Sequence, residues 1–276
     1  MVLTMFLLFA LYLVFIGVLF RTNSAVFLPL MGVFVLAQFF FSDRLALYSM
    51  GAKEVSEQEY PELHAMVSRL SQQADLPKPT VAVADSRVPN AFAAGRSQKN
   101  ATVCVTTELL RTLDRDELEG VVAHELAHVK NRDVMVMTIA SFLSTVAFMI
   151  VRMGFWFGGG RNRQGGGIIV AIVASLVVWI VSFFLLRALS RYREFAADRG
   201  GALITGQPSA LASALLKIDG RMDRVPQEDL REQSEMNAFF ILPAKGNAIT
   251  KLFSTHPSTE KRVDRLRDLE RELETR

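Results

Sequence analysis

An intrachain disulfide is closed to this sequence. Its 276 residues include a single cysteine, Cys104, whose setting, TVCVT, reads as a small hydrophobe in a strand. Histidine is nearly as scarce, at four. A surplus of one charge sign is also lacking: the net charge of +3 is small for this length, and the basic residues gather in no single soluble stripe. Both facts argue against nucleic acid as a partner. A phosphate-cradling loop is missing too, because the glycine-rich GGGRNRQGGG at 158–167 has neither a strand before it nor G-K-S/T after it. That tract suits a flexible surface connection. The chain has no internal repeat.

What it has in excess is apolar. Half the residues are hydrophobic beside a charged fraction of 21%, so the surplus must be concentrated somewhere. Residues 2–20 and 25–41 carry no charge, and each is long enough to cross a hydrocarbon core of about 30 Å as a helix. A signal peptide fits the first run badly, since no Lys or Arg precedes it and no A-x-A site follows. A third run, 134–153, holds only Arg152, and a fourth, 167–186, holds no charge. The third reads either as a spanning helix or as a buried or half-embedded one. Two hairpins, 1–42 and 134–186, then leave 43–133 and 187–276 on the same face. Near the helix ends, Arg44, Lys53, Lys130, Arg132, Arg187, Arg191, Arg193 and Arg199 outnumber Arg21, Arg161 and Arg163 in the short loops. That imbalance places the polar segments in the cytoplasm, and the lack of cystine agrees.

Within the polar segments, Ser56 and Glu59 form a capping-box pattern, and Leu63, Met66, Val67 and Leu70 repeat at helical spacing. Together they predict a helix over 57–74, with His64 a boundary residue beside its apolar stripe. TVAVA (80–84) and ATVCVT (101–106) predict two short antiparallel strands. Asp114 and Glu117 open a helix through GVVAHELAHVKNRD. After the fourth apolar run the helical pattern continues to Gly206. Helices follow over 208–219 and from Pro257, the last with Val263, Leu266 and Leu269 as a thin apolar edge.

The chemistry lies in HELAH. On a helix, His124 and His128 project from one face, where both imidazoles can reach one metal ion at about 2.0–2.1 Å. Glu125 then stands beside a metal-bound water as a candidate general base. The longer metzincin pattern requires Gly at 131 and His at 134, where this chain has Asn131 and Val134. Glu194 is the best remaining third ligand, and Asp198, one turn on, is placed to accept a hydrogen bond from a ligating histidine. Taken without HELAH, YREFAADR is an ordinary helix with ion pairs. A catalytically dead scaffold is the rival from another class, and Glu125 argues against it, since a purely structural site does not need that carboxylate. A transporter fails because only Arg152 is charged within the apolar runs.

PNAFAAG, VVAHELAHVKNRD, REFAAD and STHPSTEKRV, in this order in a chain with four apolar segments, resemble the HtpX family of membrane-bound zinc metalloproteases, relatives of the CAAX prenyl endopeptidases. The resemblance implies a mainly α integral membrane protein with a small β-sheet and a zincin-like cytoplasmic domain built around the HExxH helix. It implies one zinc ion held by His124, His128 and Glu194, with Glu125 as general base. It further implies cleavage of misfolded or damaged membrane proteins in the cell membrane, in a quality-control and stress-response role. By similarity, Asn90, Ala91 and Phe92 supply an edge strand for an extended substrate. His256 and Arg262 match positions proposed in the prenyl-protease relatives to stabilise a developing oxyanion, although His256 before Pro257 reads equally as a helix-start residue. The chain lacks the extra apolar helices of those relatives, which weakens a prenyl-peptide assignment. No oligomeric state follows from the sequence.

Overall fold

The computed structural model describes residues 2–21, 27–157, 165–222, 224–225 and 256–275. In chain order they form α1 (Val2–Arg21), α2 (Phe27–Ser49), β1 (Ala52–Glu54), α3 (Pro61–Gln73), β2 (Thr80–Ala84), β3 (Ala91–Ala94), β4 (Thr102–Thr106), α4 (Thr107–Thr112), α5 (Arg115–Lys130), α6 (Asp133–Phe157), α7 (Gly165–Thr205), α8 (Pro208–Met222) and α9 (Thr259–Glu274). The expectation of a mainly helical chain with a small sheet holds. The connection expected over 158–167 falls outside the described residues as far as 164. Two compact units emerge, Met1–Phe40 with Val136–Ser190, and Phe41–Met135 with Arg191–Arg276.

The first unit is helical throughout its described residues. Leu8, Tyr12 and Phe15 of α1 are buried with Ala140, Val146, Ala147 and Ile150 of α6 and with Val178 and Leu189 of α7. The Tyr12 hydroxyl donates to the Ala140 carbonyl at 2.9 Å. Large apolar side chains, Phe6, Phe9, Val14, Ile169 and Ile180 among them, stand exposed. Among the described residues one helix, Ile172–Thr205, is long and apolar enough to cross a bilayer. Asp133–Phe142 and Ser144–Val151 reach that measure only together, bent by 40°, and Leu3–Val18 is a shorter apolar helix.

The second unit packs helices on a four-stranded sheet of order β1-β2-β4-β3. Here the structure corrects the strand pairing expected from sequence. β2 and β4 run parallel, Thr80 opposite Thr102 and Ala84 opposite Thr106. Residues 85–101 are long enough for the crossover that a parallel pair needs, and they supply β3, which takes the antiparallel place beside β4. The start of α3 is corrected as well. Ser56 and Glu59 do exchange their bonds, with Ser56 N–H donating to Glu59 Oε2 at 2.8 Å, but they close a turn ahead of the helix. Pro61 then takes the first helical position, where its fixed φ and missing N–H cost nothing. His64 lies at the boundary with Nε2 2.9 Å from the Val55 carbonyl.

The α5 capping box forms as its sequence predicts, Asp114 and Glu117 exchanging backbone bonds at 3.0 Å. Leu70, Leu109, Leu126, Leu211, Leu215 and Leu266 are buried at 1% exposure or less, and each contributes about 1.5–3 kcal/mol of apolar burial. Cys104 lies in the same core on β4, where burial pushes its thiol up to about 12. It packs as a hydrophobe.

Thr106 ties the sheet to the helices. Its wholly buried Oγ1 accepts from Leu109 N–H at 3.2 Å, capping α4, and from Asn90 N–H at 2.9 Å. Thr106→Val keeps the shape and strips the acceptor from two buried donors. The expected loss is about 2–4 kcal/mol, seen as a lower thermal midpoint, while Thr106→Ser retains most of the stability.

Candidate metal centre

α5 presents His124, Glu125 and His128 to the interior of the second unit, with His124 and Glu125 at 2% and 5% exposure. α7 approaches this helix closely because it carries two glycines. A Cβ at Gly201 would stand 2.8 Å from the His124 nitrogen, and one at Gly200 would stand 2.8 Å from the Ala127 Cβ. Glycine in a helix interior costs about 0.5–1 kcal/mol against alanine. Here it buys a backbone approach that no other residue allows, and Glu194 and Asp198 arrive on the same helix.

The His124 and His128 Nε2 atoms lie 3.2 Å apart. Glu194 places Oε2 3.8 Å from the first and Oε1 3.6 Å from the second. Atoms holding one zinc ion at about 2.0–2.1 Å in a tetrahedron stand about 3.3 Å from one another. The three side chains therefore fit a metal ion in both donor type and spacing. Among the described residues Glu194 Oε2 is buried and takes no hydrogen bond in good geometry.

Carboxylates flank the imidazoles on the other side. Asp198 Oδ1 lies 3.0 Å from His124 Nδ1, and Asp133 Oδ2 lies 2.5 Å from His128 Nδ1. Arg262 of α9 is wholly buried and forks onto Asp198, Nε to Oδ2 at 2.9 Å and Nη2 to Oδ1 at 2.6 Å. Its Nη1 is 3.6 Å from Glu194 Oε2. His256 brings Nδ1 to 3.1 Å from the same oxygen.

The electrostatics divide the acids into two kinds. Burial raises the Glu125 carboxyl above its ordinary range, against the pull of His124 and His128, which suits a group that must accept a proton and give it up. Burial would raise Glu194 too, but His256, His128 and Arg262 outweigh it and hold that carboxyl well below its usual value. Asp198 is likewise held down against burial, by Arg262 and His124, and Asp133 by His128 and Arg193. Burial pulls His128 down, yet the Asp133 bond and the charges of Glu194 and Glu125 lift it to about 9.

Six sequence-expected residues, His124, Glu125, His128, Glu194, Asp198 and Arg262, thus converge on one buried cluster, and His256 adjoins Glu194. Arg262 is wholly buried and engaged by Asp198, with its Nη2 also 3.4 Å from His124 Nε2. Asn90, Ala91 and Phe92 lie at the start of β3, an outer strand of the described sheet, but their side chains are buried. The outward main-chain groups there belong to Ala91 and Ala93, and Ala93 N–H donates to Glu125 Oε2 at 2.8 Å. Sequence reading misses Asp133, Arg193 and this Ala93 bond. The paired glycines inside REFAADRGGA are the signal available for the close helix approach.

Residues 57–270 match Peptidase family M48. The chain belongs to that family. This M48 member is similar to Protease HtpX homolog 2 of Methanosarcina mazei, 57% identical over 99% of this chain and 95% of that protein. It is also 57% identical to a Protease HtpX homolog of Moorella thermoacetica, over 100% of this chain and 95% of the relative. Among solved structures it resembles Ste24p of S. mikatae with a TM-score of 0.58 and 17% identity, over 93% of this chain and 62% of that one. At that identity the likeness shows the fold alone. As an M48 peptidase similar to HtpX proteases, the chain is a metalloprotease, and its metal is an ion of the kind the His124, His128 and Glu194 cluster can hold.

Proposed function

We propose that this M48 peptidase is a membrane-bound, zinc-dependent endopeptidase acting on misfolded or damaged membrane proteins. The observation that carries the chemistry is Glu125 held by Ala93 N–H beside three convergent metal donors. Zinc bound by His124, His128 and Glu194 would polarise the scissile carbonyl and acidify the attacking water. Glu125 takes the water's proton on the oxygen opposite the Ala93 bond and passes it to the leaving amine. Its raised affinity for a proton favours the uptake half of that transfer. Asp198 fixes the His124 tautomer, and Arg262, forked onto Asp198, acts through it as a positioning residue. His256 steadies the developing oxyanion from its place beside Glu194. The outward main-chain groups of β3 other than the Ala93 N–H, which Glu125 holds, pair with an extended substrate, which gives little side-chain preference and suits unfolded polypeptides.

The exposed apolar faces of the first unit support burial in lipid. In this proposal 1–42 and 134–186 form the membrane hairpins, and 43–133 with 187–276 form a protease domain in the cytoplasm, in a multi-pass protein of the cell membrane. Alkaline carbonate should leave the protein in the membrane pellet, and detergent-purified protein should cut casein, lose that activity to a chelator and regain it with Zn2+. Release by carbonate contradicts the membrane reading. Cleavage that survives metal removal contradicts the metal chemistry.

A further inference from the structure

His128 has a partner that the HExxH pattern does not contain. α5 ends at Lys130, and Arg132 takes a left-handed φ of +54°, a conformation uncommon for a residue with a side chain. That turn brings Asp133, five residues after His128, back to the imidazole, with Oδ2 2.5 Å from Nδ1. The other oxygen, Oδ1, lies 2.9 Å from Arg193 Nε, and Arg193 directly precedes Glu194 on α7. One nearly buried carboxylate therefore spans the helix that carries two of the metal donors and the helix that carries the third. An acceptor on Nδ1 fixes the proton there, so the Nε2 lone pair faces His124 and Glu194. The two histidines are then treated alike. His124 leans on Asp198 and Arg262, while His128 leans on Asp133 and Arg193.

We propose that Asp133, braced by Arg193, is the positioning residue for the metal ligand His128. The arginine fixes where the carboxylate sits, and the carboxylate fixes the imidazole's tautomer and angle. The proposal rests on the ligand set given under Proposed function.

Its test is zinc affinity. Full-length protein in detergent is stripped of metal and titrated with Zn2+ against a chromophoric chelator, and melting of the metal-free protein reports the fold. Asp133→Ala should weaken zinc binding about 10- to 100-fold. Asp133→Asn keeps an acceptor for Nδ1–H without the charge and should recover part of that loss. A role in folding alone would lower the metal-free melting temperature of Asp133→Ala and leave its zinc constant at the wild-type value, which overturns the proposal. Where Asp133→Ala does not fold, Asp133→Asn decides, and an unchanged constant there also overturns it. His128→Ala separates the two levels of inference. Loss of zinc in that variant with none in either Asp133 variant sinks only the positioning role, whereas unchanged binding in His128→Ala sinks the ligand set.

Discussion

Glu125→Gln should abolish casein cleavage while leaving the metal in place. The substitution keeps the length and the Ala93 N–H acceptor but cannot take a proton, and general-base catalysis is worth about 10²–10⁴ in rate. A fall of about 10³-fold in kcat, with one zinc per chain retained and the melting temperature unchanged or raised, is the expected outcome. Removal of a buried acid whose carboxyl is pushed up by burial does not weaken the fold. Cleavage within tenfold of wild type would move the base elsewhere in the site.

Gly201→Val should dismantle the site without touching a functional group. The first added carbon would meet the His124 nitrogen at 2.8 Å, its Cα at 3.0 Å and the Ala123 carbonyl carbon at 3.1 Å. All three are main-chain atoms, so no side chain can swing aside. Leaving glycine gains up to about 1 kcal/mol of helix propensity, while overpacking costs about 1–3 kcal/mol or more. Valine adds two further methyl groups, and the clash prevails. The expected result is a destabilisation of about 3 kcal/mol or more together with loss of bound zinc, because α7 carries Glu194 away as it shifts. Among the described residues nothing lies within 4 Å of a Cβ added at Gly220 in α8, so Gly220→Ala should instead stabilise by about 0.5–1 kcal/mol. Two glycine substitutions with opposite signs, read by thermal melting, separate close packing from general helix effects.

The parts of this fold legible in sequence are those that a local pattern dictates. Helix α5 follows from the Asp114 and Glu117 box, and α7 ends where Gly206 adopts φ +71°, as a C-terminal glycine should. The i, i+4 spacing alone puts His124 and His128 on one face, and Glu194 and Asp198 on one face of α7. Sheet topology was not legible, because the alternation in 80–84 and 101–106 is the same for parallel and antiparallel neighbours. Only the intervening β3 decides between them. Asp133 was hidden for a similar reason: its approach to His128 depends on the left-handed Arg132, which no helical periodicity announces. Arg262 matched a resemblance by position, but its engagement with Asp198 is set by how α9 packs, a long-range fact.

His124, His128 and Glu194 are proposed to hold one catalytic metal ion. Zinc content after loading and gel filtration, compared between wild type and Glu194→Ala, tests it most directly. The wild type should hold one zinc per chain and Glu194→Ala should lose stoichiometric binding, with both proteins folded. Stoichiometric zinc in Glu194→Ala, or none in a folded wild type, would contradict it.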